Sequence, residues 1–286
     1  MFTNSEKLQN PRQKTIDKIR KSIPIELWNQ NTYFLNGVRK KVANHPISNH
    51  PAIAILNSGN IEKHVLQKIH LEYCHAIVQI FTDALLVAQY QTRQLESRLS
   101  AGSKMLPRFL LTLNILDEFG FRPGIGSDNY YLGTPDHAHY PLFENVLKDF
   151  GIGEVERNEY LPSKIADKVR LYLEDSFDDY KTVVALLAVA EIEVILFSPP
   201  LRQATQAVGI DVASGYYYVH GVSYDASSEA ADDDHEDDLW FVLAQACTEE
   251  DYNFITKICL EYCDLWQQFW DKQIAGLKYE PYKKLA

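Results

Sequence analysis

Several ionisable side chains sit inside apolar stretches of this chain, where a charge needs a partner. Glu191 lies in VVALLAVAEIEVILF, with Leu187 and Ile195 one turn away on either side. Glu72 and His75 share one helix face in IHLEYCHAIVQIF, because residues three apart are neighbours on a helix. Glu118 ends LLTLNILDEF, His220 closes YYYVH, and His235 heads the apolar EDDLWFVL. A buried carboxylate is costly unless it meets a cation, a proton or a metal. A buried arginine such as Arg170 would satisfy Glu191; a metal would satisfy all of these groups together. Inward-facing Glu, Asp and His on bundled helices form iron or manganese sites, and such oxygen and imidazole donors differ from zinc–thiolate sets. The ferritin-like version needs Glu-x-x-His twice, and the spacing occurs once among these candidates, as Glu72-x-x-His75.

The elements that must position these residues read almost entirely as helix. From Asn60 about 40 residues run without Gly or Pro, with apolar residues at three- and four-residue steps (Val65, Ile69, Tyr73, Ile77, Ile80, Leu85). A helix over 107–119 stops at Gly120. The stretch 121–134, with Gly124, Gly126, Gly133 and Pro123, reads as a loop. Helices follow over about 136–150, from a Ser163 cap to Phe177, and from Tyr180 to Phe197, ending at Ser198-Pro199-Pro200. Helix is expected again over 201–208, from about Ser214 through His220, from His235 onward, and over about 249–273. No segment alternates with period two, so strands are few or absent. The expectation is one all-α domain over 1–286. Its first 55 residues form an irregular leader, 56–275 form the core bundle, and the small acidic run 226–234 is an insertion.

Composition sets the outer limits. The chain has 286 residues, 28 Lys+Arg against 39 Asp+Glu, and a formal net charge of −11. The acidic balance speaks against a general nucleic-acid binder. No apolar run reads as a membrane span, since Val183–Phe197 carries Glu191 and Glu193, and the polar N-terminus lacks a secretory stretch. A cytoplasmic protein without a membrane or nucleic-acid partner is expected. Cys74, Cys247, Cys259 and Cys263 make no disulfide framework, and Cys259 and Cys263 are expected as buried thiols.

The segment NILDEFGF…HAHYPLFENVLKDFG, residues 114–151, resembles the heme-oxygenase-like diiron oxidases and oxygenases. In that family a helix ending Asn-x-x-Asp-Glu-x-Gly precedes His-x-x-Leu-Phe, a later apolar helix carries a Glu, and His-x-x-x-Asp-x-x-His follows. The resemblance covers about residues 60–245. It implies a heme-oxygenase-like bundle of about seven core helices and the metal ligands Glu72, Glu118, His139, Glu191, His220, Asp232 and His235. His75, His137 and Asp225 are alternates. The chain departs from the pattern after His220: position 224 is Tyr and 227 is Ser, and the Asp-x-x-His half reappears as Asp232 to His235. The resemblance implies two Fe(II) per chain, dioxygen as cosubstrate, a homodimer and an external electron donor.

The function implied is oxidation of a small molecule. An amino acid or other carboxylic acid is expected, by N-oxygenation, C–C cleavage, or olefin or nitrile formation. Such an acid needs a basic anchor, for which Arg93, Arg98, Lys104 and Arg108 are candidates. Two readings keep the fold without diiron chemistry: a thiaminase-like hydrolase with Cys247 as nucleophile, and heme binding through His64. A third is a helical binding protein with the acidic run as partner site. Tyr216, Tyr217 and Tyr218 read as an aromatic core stripe, Trp240, Trp266 and Trp270 as packing, and Asp234, Asp237 and Asp238 as a solvated face.

Overall fold

Most of residues 11–57 is helical, which corrects the irregular leader over that stretch. A computed structural model describes residues 10–220 and 231–277, with the backbone alone for 231–234. Helix α1 (Pro11–Lys21) starts where Asn10 accepts from the Arg12 amide and Pro11 supplies a preset φ. It buries Ile16 and Ile19. Helix α2 (Ile25–Ala43) buries Trp28, Leu35, Val38 and Val42 at helical spacing, and α3 (Pro51–Asn57) follows a short 3-10 turn. The two Asn-His-Pro motifs punctuate these helices. His45 and His50 each cap one, and each following Pro opens it.

The long helix from Asn60 forms with a change of pitch. Helix α4 (Lys63–Tyr73) passes through a π-helical turn, Cys74–Val78, into α5 (Gln79–Gln91). A π-turn shifts the register of the residues after it and occurs often at functional sites. Helix α6 (Met105–Glu118) stops before Gly120, as expected. The loop expected over 121–134 contains an antiparallel hairpin, β1 (Phe121–Ile125) with β2 (Tyr131–Gly133), irregular between Arg122 and Ile125. Then come α7 (His139–Asp149), α8 (Glu154–Glu159) and α9 (Lys164–Glu174), the last capped by Ser163 as the sequence predicts.

Helix α10 (Tyr180–Ala207) runs unbroken through Pro199 and Pro200, against the expected stop. Proline costs a helix the hydrogen bond its N–H would make to the residue four back. Here the flanking turns are held by burial: Phe197, Ser198, Pro200, Leu201 and Ala204 are all inside. Helices α11 (Tyr216–Val219), α12 (Ala231–Ala246) and α13 (Tyr252–Gln273) complete the described chain. Helix α10 is the axis of the bundle and packs against α3, α5, α12 and α13. Two helical stretches, Lys63–Ser97 and Tyr180–Ala207, are long and apolar enough to cross a membrane by length and composition, and here both pack into the core.

The N-terminal helices also hold the start of α12. Arg12 Nε donates to Asp238 Oδ1 at 2.8 Å, Arg39 Nη1 to Asp237 Oδ1 at 2.9 Å, and Arg39 Nη2 to Glu236. Glu236 also accepts from the Trp240 indole. Asp238 is therefore buried beside Arg12, which corrects the solvated-face reading for that residue.

Candidate metal centre

Three buried side chains from distant parts of the chain converge. One ligand atom each from Glu118, His139 and His220 lie within 4.8 Å of one another. Glu118 ends α6, His139 opens α7, and His220 closes α11. The hairpin between α6 and α7 brings the first two together. His139 Nδ1 and Glu118 Oε1 are 2.9 Å apart. Gly120 makes the closure possible. Its φ of +78 is a left-handed conformation, and a Cβ there would stand 2.5 Å from the Ala138 amide nitrogen. Gly133, at φ +114, is packed as tightly: a Cβ there would stand 2.2 Å from the Gly120 carbonyl oxygen.

Glu191 completes the group from α10. Together with Glu118, His139 and His220 it lines a cavity of about 30 Å³. Asn114, one turn before Glu118 on α6, donates to Glu191 Oε1 at 3.0 Å. The other walls are Tyr73, Ile77, Val78 and Phe81 from the π-turn and its flanks, Val194, Tyr140 and Tyr216. His220 packs edge-on against His139 with ring centroids 4.3 Å apart, and against Tyr216 at 4.4 Å. Its carbonyl accepts from Ser198 of α10. Burial raises the Glu118 pKa, but His139, by charge and hydrogen bond, and then His220 and His235 hold it below the ordinary carboxylate range. His235, buried at the start of α12, and His139 each place Nε2 3.9 Å from Asp117 Oδ2.

Other expected ligands stand elsewhere. Glu72 is buried on a different face of α4 from Tyr73, where it accepts from the Ser163 amide at 3.2 Å and lies 3.5 Å from Lys272 Nζ. Adjacent helical residues point about 100° apart, so Tyr73 can face the cavity while Glu72 faces α9 and α13. His75 pairs with Asp167 at 2.8 Å, and His137 is exposed. The Asp232 side chain, Asp225 and most of the acidic run lie outside the described residues. The basic anchors are also engaged away from the cavity. Arg98 donates to the carbonyls of Gln245 and Ala246, Arg108 to Thr92 Oγ1, and Lys104 to Glu96, while Arg93 stacks over Tyr90. Arg170, offered as a partner for Glu191, bonds Glu174 and Gln79 instead.

The competing nucleophile and heme residues fare no better. Cys247 is fully buried, and burial pushes its thiol up to about 12, far from a thiolate at neutral pH. His64 is largely exposed beside Glu62. Sequence reasoning missed Asn114, Asp117 and Tyr73 as parts of the site. The signal for Asn114 was present, since it lies four residues before Glu118 in the quoted motif.

No protein-family model and no curated protein matches the sequence. Solved structures do match by shape. A CADD-like protein of unknown function from Nostoc punctiforme superposes with a TM-score of 0.60 at 14% identity, over 86% of this chain and 97% of that one. A TenA homolog from Pseudomonas syringae pv. tomato gives 0.58 at 10% identity, over 93% of this chain and 98% of that one. The chain therefore has the all-α, heme-oxygenase-like helical fold that TenA-type proteins share.

Proposed function

We propose that this chain is an iron-dependent oxidase or oxygenase acting on a small molecule with dioxygen. The observation that carries the reading is the buried group Glu118, His139 and His220, whose ligand atoms converge beside Glu191 on one small cavity. The donor set fits such a metal: two carboxylates and two imidazoles, with no thiolate, suit iron or manganese. Bound iron supplies the dioxygen chemistry that no protein side chain performs alone.

The chain's own residues have separate tasks in this reading. Glu118, His139, Glu191 and His220 would hold the ion. Asn114 fixes one oxygen of Glu191 and so orients the other. Ile77, Val78, Phe81 and Val194 exclude bulk water from the cavity. An external electron donor belongs to the scheme. The substrate class stays at a small molecule. The acid expected from the resemblance lacks its anchor, since among the described residues no Lys or Arg lines the cavity.

The test is anaerobic Fe(II) titration of the metal-free protein, followed by oxygen-consumption measurements. Wild type should bind Fe(II) and, once loaded, consume dioxygen faster than free iron. Glu118→Gln and His220→Ala should each weaken binding at least ~100-fold while keeping the helical circular-dichroism signal. No iron uptake by wild type would sink the reading.

A further inference from the structure

We infer that a series of oxidisable aromatic side chains, Tyr73, Trp266, Tyr262 and Tyr172, carries single electrons between the metal centre and the surface; this rests on the iron and dioxygen reading above. The series begins at the cavity wall, where Tyr73 of α4 stands with Glu118, His139 and His220. The Tyr73 ring centroid is 6.0 Å from that of Trp266 on α13. Trp266 and Tyr262 are four residues apart, so they share one face of α13, and their centroids are again 6.0 Å apart. Tyr262 stacks on Tyr172 of α9 at 5.7 Å, with the ring planes 14° apart. Tyr172 is half-buried and lines a surface groove between α9 and α13. Its hydroxyl donates to Glu261 Oε2 at 2.8 Å.

The residue types give the series its chemistry. Phenol and indole rings lose an electron far more readily than a benzene ring or an aliphatic side chain. Tyr73, Trp266 and Tyr262 are buried, and the Trp266 indole nitrogen and Tyr262 hydroxyl are out of contact with solvent. Phe would fill the same space without burying those polar atoms. The other branch from Tyr73, through Trp270 at 6.1 Å, runs into Phe197 and Phe269, whose rings resist oxidation. In one transfer Tyr172 gives up an electron, which lowers the iron, previously oxidised by dioxygen, by one oxidation state. The Tyr172 phenolic proton passes to Glu261, leaving a neutral tyrosyl radical. Tyr73, Trp266 and Tyr262 end the transfer unchanged. A one-electron reductant at the groove then returns an electron to Tyr172, and Glu261 returns the proton. The series is thus the entry route for the external electron donor. Without substrate, it leads an oxidising equivalent away from the ligands.

The experiment loads the full chain anaerobically with Fe(II) and exposes it to dioxygen, without substrate, in the presence of a nitroso spin trap. Radicals are read by electron paramagnetic resonance and located by peptide mass spectrometry. Wild type should give a tyrosyl adduct on Tyr172, and Tyr172→Phe should lose it while still taking up iron. Tyr262→Phe, which removes one oxygen from the interior, and Trp266→Phe should each lower the Tyr172 adduct at unchanged iron content. An adduct missing from wild type that binds iron and consumes dioxygen, or one undiminished in either interior variant, would overturn this inference and leave the metal-binding reading standing. No iron uptake or no oxygen consumption by wild type would overturn both.

Discussion

Glu191 and Glu193 show how two residues separate two environments on one helix. Both are buried on α10, yet they stand about 200° apart around its axis. Glu191 faces the cavity beside Asn114. Glu193 faces an aromatic layer, accepts from Tyr73 Oη and Trp270 Nε1, and is pushed by burial up to about 8 despite those two donors. The sequence marks both as acids in an apolar run and does not distinguish which of them faces the cavity. Asn114 makes the distinction testable. It touches Glu191 and leaves the other donors alone, so Asn114→Leu should lower metal affinity ~10–100-fold with little loss of helix. Asn114→Asp, which cannot donate when ionised, should not restore it. Metal titration alongside thermal melting would separate the two effects, and unchanged affinity in Asn114→Leu would refute the positioning role.

Two connections between elements set the geometry of the site. The first is the hairpin closed at Gly120. A Cβ there meets the backbone of residues 134–138 and cannot be relieved by a side-chain rotation. Gly120→Ala should therefore displace α7 relative to α6, abolish measurable iron binding, and cost at least ~2 kcal/mol in denaturant unfolding. Retained iron binding would show that the closure does not position His139. The second connection is the pair of arginines that holds α12, the helix carrying His235. Removing Arg39 strands the largely buried Glu236. Because Arg39 itself is 36% exposed, the cost of Arg39→Met is discounted to about 1–3 kcal/mol. Arg39→Met combined with Glu236→Gln should recover most of it, and a double mutant no more stable than the single would contradict the pairing. The sequence shows Gly120 as a helix stop. It gives no sign of the arginine contacts, which join residues about 200 positions apart.

At the scale of the molecule, burial makes stability depend on pH through His70. This side chain is fully buried, with Nδ1 on the Leu66 carbonyl and Nε2 2.6 Å from Tyr217 Oη. Burial lowers its pKa from 6.5 to about 4. The unfolded chain therefore takes up a proton below pH 6.5 that the folded chain refuses until about pH 4. The His70 contribution is fully present above pH 6.5 and is lost as pH falls toward 4, by about 3 kcal/mol in total. Comparing urea unfolding of wild type and His70→Gln across this range isolates the effect, and parallel curves would refute it. The sequence by itself determined the helical class, most helix boundaries, and Glu118, His139, Glu191 and His220 as candidates for one site. The helices, Glu118, Glu191 and His220 follow from local periodicity, caps and the cost of a charge in an apolar run, while His139 comes from the resemblance of residues 114–151 to the heme-oxygenase-like family. Only the tertiary structure decided that residues 11–57 pack as helices, that α10 continues through two prolines, and that Glu72 faces Ser163 while Tyr73 faces the cavity. Each of these depends on what lies across the helix from a residue, and one-dimensional spacing does not contain that information.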